Sequence, residues 1–374
     1  MLSCILAYVA HDPAGNDNAT HGKNEMSDAI RQQWQALTAA ASDAPTSGTD
    51  SLVTGLTGRQ VIEVSGTEAR AFLQAILTQD IEHLPDDAAA FAALCSAKGR
   101  ALGLFRVVSH DDRFYLVARA DIAPALLKRL RMYVLRRDVQ LTLDEDRVAL
   151  GVMLRGQAGA QLPDVDAATV IERLAADRGE EAPRWPATVD RDGTLYIRED
   201  NDGSPRIAAY GAVERLGALY EAVPAERRVS AQAWNRAEIE ERIPLVAEPT
   251  VEHFVPQWLD LDELDAFSLK KGCYPGQEVI ARMHYLGKPN RRLFAGHALA
   301  LDPPAPGTPI ETADGASAGE VVRSAPLPDG SGSTLLAVLK LKHLHDSLSI
   351  DGLALSIDTQ GATPGQFAGT GTPH

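Results

Sequence analysis

The octapeptide Lys271-Gly272-Cys273-Tyr274-Pro275-Gly276-Gln277-Glu278 sets a thiol, an ammonium, an amide and a carboxylate within one turn of chain. Gly272 frees the backbone, and Pro275-Gly276 suits the second and third positions of a type II turn. Gln277-Glu278 then opens the apolar run Val279-Ile280-Ala281, so Cys273 is expected on a shaped loop that leads into an ordered element. Lys270 and Lys271 beside it, and a nearby helix N-terminus, would favour thiolate over thiol, the environment of a reactive cysteine. A small buried hydrophobe in a tight turn is the other reading of the same residues, and chemistry alone leaves the choice open.

Outward from the loop, Phe254-Val255-Pro256-Gln257, Lys270 to Glu278, Ala281-Arg282, Gly287 and Arg291-Arg292 form a pattern. It resembles the signature of the YgfZ family of folate-binding proteins, relatives of the glycine-cleavage T-protein, an aminomethyltransferase. Phe72-Leu73-Gln74 and Leu77-Thr78-Gln79-Asp80 resemble the segment after that family's first strand, so the likeness runs from Leu52 to Leu355. Residues 156–229 carry no motif that places them.

The resemblance implies an α+β fold of the T-protein kind with a small C-terminal β-barrel. Residues 1–50 are then an N-terminal extension and linker, and 51–290 a folate-binding region of two interleaved subdomains. Residues 291–360 form the barrel and 361–374 a disordered tail. It also implies tetrahydrofolate or a derivative as ligand. The implied role is the assembly or repair of iron–sulfur clusters in a subset of enzymes, including those that methylthiolate tRNA. Iron–sulfur enzymes or assembly proteins are the implied partners, with any tRNA contact local. In that reading Cys273 is the essential thiol and Lys271 tunes it, while Tyr274 and Gln277 shape the loop and Glu278 and Arg282 orient it. Trp234, Tyr274, Gln277, Glu278, Arg282 and Arg292 form the expected folate-binding set. Trp234 matches the spacing of a folate-contacting tryptophan in the family, and an indole face stacks well on a flat heterocycle; core packing is its alternative role. Arg282, His284, Lys288, Arg291 and Arg292 cluster just past the loop, where arginines would suit the anionic glutamate tail of a folate.

Departures from the pattern limit the chemistry. T-proteins carry an acid at the position matching Gly103 in Lys98-Gly99-Arg100-Ala101-Leu102-Gly103-Leu104, so glycine cleavage by the family mechanism is not expected here. Arg59 stands where some relatives have an aromatic residue, and Glu238 and Arg242 where relatives often show Arg and Gly. A folate-dependent aminomethyltransferase or demethylase with Cys273 as nucleophile remains the competing class. A non-catalytic adaptor with a vestigial pocket is the third.

At 374 residues the chain has room for two to three domains, and 36 basic against 51 acidic residues give a charge of −15, which excludes wholesale wrapping of nucleic acid. Cys4, Cys95 and Cys273 form no C-x-x-C pair, so neither a disulfide framework nor an autonomous metal site is encoded. Met1 to Ala10 is apolar but lacks the basic flank of a signal peptide and the length to span a bilayer, and a cytoplasmic location is expected. Met26-Ser27-Asp28 reads as the start of a helix over Ile30 to Leu37, with translation beginning at Met26 or residues 1–25 forming a solvated extension.

Further along, Val61–Val64 reads as a strand and Ser65-Gly66-Thr67-Glu68 as a capping box for a helix whose apolar face is Phe72, Leu73, Ile76 and Leu77. Strands are expected at Leu102–Val108, Phe114–Ala118, Val139–Leu143 and Val148–Leu154. Between them lies a helix started by Asp121 with Leu126, Leu127 and Leu130 inward. Lys128, Arg129, Arg131, Arg136 and Arg137 read as a solvated helix face or, alternatively, a polyanion contact. Strand-like stretches at Leu293–Leu301, Gly319–Val322 and Leu335–Leu341 fit the barrel.

Overall fold

The computed structural model describes residues 18–39, 41–42, 50–155, 162–176, 183–201, 203–287 and 289–359. Cys4, Lys288 and the tail from 360 on lie outside these. Helix α1 (Asn18–Thr38) begins before Met26-Ser27-Asp28, so the expected start is corrected. Asp28 is not the cap; it accepts a hydrogen bond from Arg31 at 2.7 Å on the helix surface.

After it come β1 (Leu52–Gly55), β2 (Arg59–Ser65), α2 (Ala69–Ile76), β3 (Ala88–Cys95), β4 (Ala101–His110) and β5 (Arg113–Arg119). Then follow α3 (Ala123–Val134), β6 (Gln140–Asp144) and β7 (Arg147–Met153). The stretch without a motif holds α4 (Val165–Ala175), β8 (Trp185–Val189), β9 (Leu195–Arg198), β10 (Arg206–Ala212) and α5 (Val213–Ala222). These strands form one ten-stranded sheet in the order β1-β7-β10-β9-β8-β3-β4-β5-β2-β6, with every pairing antiparallel. Its two halves are joined as a sheet where Ala88 and Ala89 pair with Pro186 and Trp185. Strand β3 has no forerunner among the strands read from the sequence. All eight of its residues are buried, so it carries no alternation to betray it.

Two local expectations fail for a tertiary reason. Ser65 and Glu68 form no capping box, and Glu68 itself precedes the helix. Thr67 donates through Oγ1 to the Asp138 carboxylate at 2.7 Å, and the Asp138 amide donates to Glu68 at 2.7 Å, so the turn before β6 takes both partners. Asp121 does not cap α3; its carboxylate accepts from the distant Glu248 amide at 3.2 Å as well as pairing with Arg119 at 3.0 Å, and Ile122 precedes the helix instead. The apolar faces of both helices are buried as read.

Helix α6 (Ala231–Glu240) and, past the cysteine loop, α7 (Gln277–Leu286) lead to the barrel. Strands β11 (Arg291–Ala298), β12 (Pro309–Thr312), β13 (Ser317–Pro326), β14 (Ser333–Lys340), β15 (Leu348–Ile350) and β16 (Leu353–Ile357) close in the order β11-β14-β13-β12-β15-β16. The barrel packs against α6, which brings its strand β13 to the edge of the central cavity described below.

Candidate functional site

The cysteine loop is built as its sequence reads, with one exception. The Gln277 amide donates to the Tyr274 carbonyl at 3.2 Å, and Gly276 has φ 83° and ψ −2°, the third position of a type II turn that runs straight into α7. Gly272, by contrast, does not use the left-handed region; Gly276 alone in this loop needs it. A Cβ on Gly276 would lie 2.6 Å from the Gly99 Cα and 2.7 Å from the Ser96 carbonyl oxygen, so the loop sits against the turn after β3. Gly276→Ala is therefore expected to cost about 1–2 kcal/mol for the left-handed backbone and more for the clash. A fall in melting temperature together with faster proteolysis of the loop would show it.

Around this turn, Lys271 donates through Nζ to the carbonyls of Leu77 at 2.7 Å and Gln79 at 2.5 Å, and it lies 5.2 Å from the centre of the Tyr274 ring. Its ammonium is thus directed at the C-terminal end of α2 and clamps the loop there, and burial lowers its pKa to about 8. Gln277 donates to the Lys271 carbonyl at 3.4 Å and ties the loop to itself. Cys273 is left exposed, whereas Cys95 is fully buried and its thiol is pushed up to about 12 by desolvation. Tyr274 is buried with no hydrogen-bond partner for its hydroxyl. Glu278 and Arg282 are exposed on α7. Arg292 pairs with the Asp260 carboxylate at 3.0 Å, and Arg291 lies 4.6 Å from the centre of the Trp258 ring.

A separate cavity of roughly 400 Å³ lies where β4, β5, α6 and the barrel converge. Of the expected folate-binding residues only Trp234 lines it. That ring is 1% exposed, with the Arg59 and Arg206 guanidiniums 5.6 and 5.3 Å from its centroid, so it serves as a wall and not as an open stacking face. Gly151 makes room for it: a Cβ there would lie 2.6 Å from the indole.

The cavity's polar groups come from segments far apart in the chain. Arg59 pairs with Glu199 and, at 2.8 Å, with Glu238; Arg323 from β13 pairs with Glu238 at 2.7 Å and with the Asn235 carbonyl group. Tyr210 donates to Glu199 at 3.0 Å. Two departures from the family pattern, Arg59 and Glu238, are thus partners of each other. Arg242, where relatives often show Gly, has φ 56°, a conformation glycine adopts without cost. Gly103 points away: a Cβ on it would meet Leu126 of α3 at 2.6 Å, while its neighbour Leu104 lines the cavity. An acid at 103 would therefore face α3. The carboxylates in the cavity are Glu199 and Glu238, which the sequence reading did not assign to a site.

Burial alone would raise the Glu238 pKa, but Arg323, Arg59 and Arg206 outweigh it and hold the group at about 2. Its folded pKa lies below the unfolded value, so this stabilisation is complete above the ordinary Glu range and is lost as pH falls toward 2. Glu238→Gln is expected to flatten the acid limb of a stability-against-pH curve in that window. A limb of unchanged slope in the variant would show that other carboxylates control acid unfolding.

No protein-family model matches the chain. It is 33% identical over 246 residues to the tRNA-modifying protein YgfZ of Edwardsiella ictaluri, covering 62% of this chain and 67% of that one. Over 275 residues it is 29% identical to the protein of the same name from Sodalis glossinidius, covering 72% and 80%. Among solved structures it resembles the glycine cleavage system aminomethyltransferase T of Bartonella henselae, with a TM-score of 0.63 and 17% identity over 87% of this chain and 88% of that one. That likeness establishes the T-protein fold, and the sequence relatives establish that the chain belongs to the YgfZ family.

Proposed function

We propose that this protein binds tetrahydrofolate or a derivative in the central cavity and supports iron–sulfur cluster assembly or repair in a subset of enzymes, among them tRNA-methylthiolating ones. In this reading Cys273 is the reacting thiol. The observation that carries the ligand half is the pair of buried carboxylates in a cavity of roughly 400 Å³. The 2-amino and ring N–H edge of a pterin offers two parallel donors, and a carboxylate accepts such a pair as it accepts an arginine fork. Arg59 donates from Nη1 to Glu199 and from Nη2 to Glu238, so ligand entry requires Arg59 to share or yield. Arg282 and Arg292 lie outside the cavity lining, so they meet a bound folate only through whatever part of it projects from the cavity.

The second half rests on separation. Cys273 is exposed on a loop clamped at both ends, and it does not line the cavity, which suits a thiol presented to a macromolecular client. No carboxylate on β4 faces the cavity, which argues against amine chemistry of the aminomethyltransferase kind. An RNA contact, in this reading, is local to the exposed cations Lys128 and Arg136, since Arg131 is bonded to the Leu141 carbonyl at 2.9 Å. No helix among the described residues is long and apolar enough to cross a membrane.

Two measurements test the reading. Isothermal titration with tetrahydrofolate and its 5-formyl derivative is expected to give micromolar-scale binding, and flat titrations would remove the ligand. Cells lacking the protein are expected to lose iron–sulfur enzyme activity and keep glycine cleavage; the reverse pattern would favour the aminomethyltransferase class.

A further inference from the structure

Two groups lining the cavity carry a buried donor without an acceptor, the Trp234 indole N–H and Arg106, and of these only Arg106 is charged. It lines the cavity from β4 and is 5% exposed. Its Nη2 donates to the Glu199 backbone carbonyl at 3.1 Å, yet its Nη1 is buried with no hydrogen-bond partner. The side chain cannot easily turn away, because its guanidinium lies 3.3 Å from the Phe91 ring centre and 4.9 Å from that of Trp185. Arg59, Arg323, Arg206 and Arg119 each have a carboxylate partner, Arg59 and Arg323 in Glu199 and Glu238, Arg206 in Glu241 and Arg119 in Asp121, and Arg106 has none. The lining therefore sets Arg59, Arg106 and Arg323 against two buried carboxylates, and the unmatched charge sits at Arg106. A buried donor on a fixed cation, left without an acceptor, is costly unless a ligand supplies one.

We propose that Arg106 is a ligand-recognising residue of the cavity, donating from Nη1 to a carbonyl or enolate oxygen on the rim of a planar heterocycle. This rests on the folate reading and sharpens it. The cavity then selects a 4-oxo pteridine and rejects its 4-amino counterpart, which would place a donor where only an acceptor is tolerated. Glu199 and Glu238 take the donor edge of the ring and Arg106 the acceptor edge, so a single heteroatom decides between ligands of equal size and shape.

The test is a binding comparison of 2-amino-4-oxopteridine with 2,4-diaminopteridine at neutral pH. The wild-type protein is expected to prefer the oxo compound by about 10- to 100-fold, the range of a hydrogen bond to a charged donor. Arg106→Met keeps most of the apolar contact with Phe91 and should weaken the oxo ligand to the level of the diamino one. Arg106→Lys keeps the cation and should retain part of the preference. Melting curves identify a variant that has lost its fold, in which case the wild-type pair and Arg106→Lys decide. Equal binding of both rings by wild type, or a preference that survives in Arg106→Met, overturns the role of Arg106 and leaves the folate cavity standing. Binding of neither ring, with tetrahydrofolate also inert, overturns both.

Discussion

Replacing Cys273 by alanine is expected to abolish the support of iron–sulfur enzymes in a complementation assay, with folding intact and folate affinity within about twofold of wild type. The expectation of an intact fold follows from exposure: removing one sulfur from the surface of a turn leaves no internal cavity. The expectation of intact binding follows from place, because the loop does not line the cavity. A companion measurement is alkylation at neutral pH followed by mass spectrometry. Cys273 should react on the order of 100-fold faster than Cys95, whose thiol is buried and pushed up to about 12. Full complementation by Cys273→Ala would make the thiol dispensable and leave the cluster role without a reactive group.

Trp234→Ala is expected to have the largest effect on stability. The indole is fully enclosed between α6, Gly151 and two guanidiniums, so truncation should cost about 3–5 kcal/mol and strip Arg59 and Arg206 of a shared face. Chemical denaturation measures it. Loss of ligand binding in this variant would not by itself identify a stacking role, since the cavity wall goes with the ring. Trp234→Phe, which keeps an aromatic face, is the informative partner: near-native stability with weakened binding would point to the indole edge as a contact.

The turn at Tyr274–Gln277 could be read from sequence because a type II turn is a local property of Pro-Gly, and the structure realises it with an i to i+3 hydrogen bond. The helices with stripes of apolar residues were legible for the same reason. Strand β3 was not, since an alanine-rich run buried on both faces has neither the alternation of a half-buried strand nor β-branched residues. The capping box at Ser65–Glu68 misled because Asp138, distant in sequence, competes successfully for the same groups. Least legible was the cavity. Arg59, Arg106, Glu199, Glu238 and Arg323 obey no spacing rule, and only the sheet order and the docking of the barrel bring them together. The signal that was present lay in the exceptions: two residues that broke the family pattern turned out to be bonded to each other.

The Arg323–Glu238 pair also bears on how the protein is made. One member lies on α6 and the other on a barrel strand 85 residues later, so a nascent polypeptide that has released everything up to α7 still holds Glu238 without its arginine from β13. The cavity's charge pairing is therefore completed only after β13 has been made. Until then Glu238 has Arg59 as its remaining partner, so docking of the barrel onto α6 and completion of the cavity wall are one event.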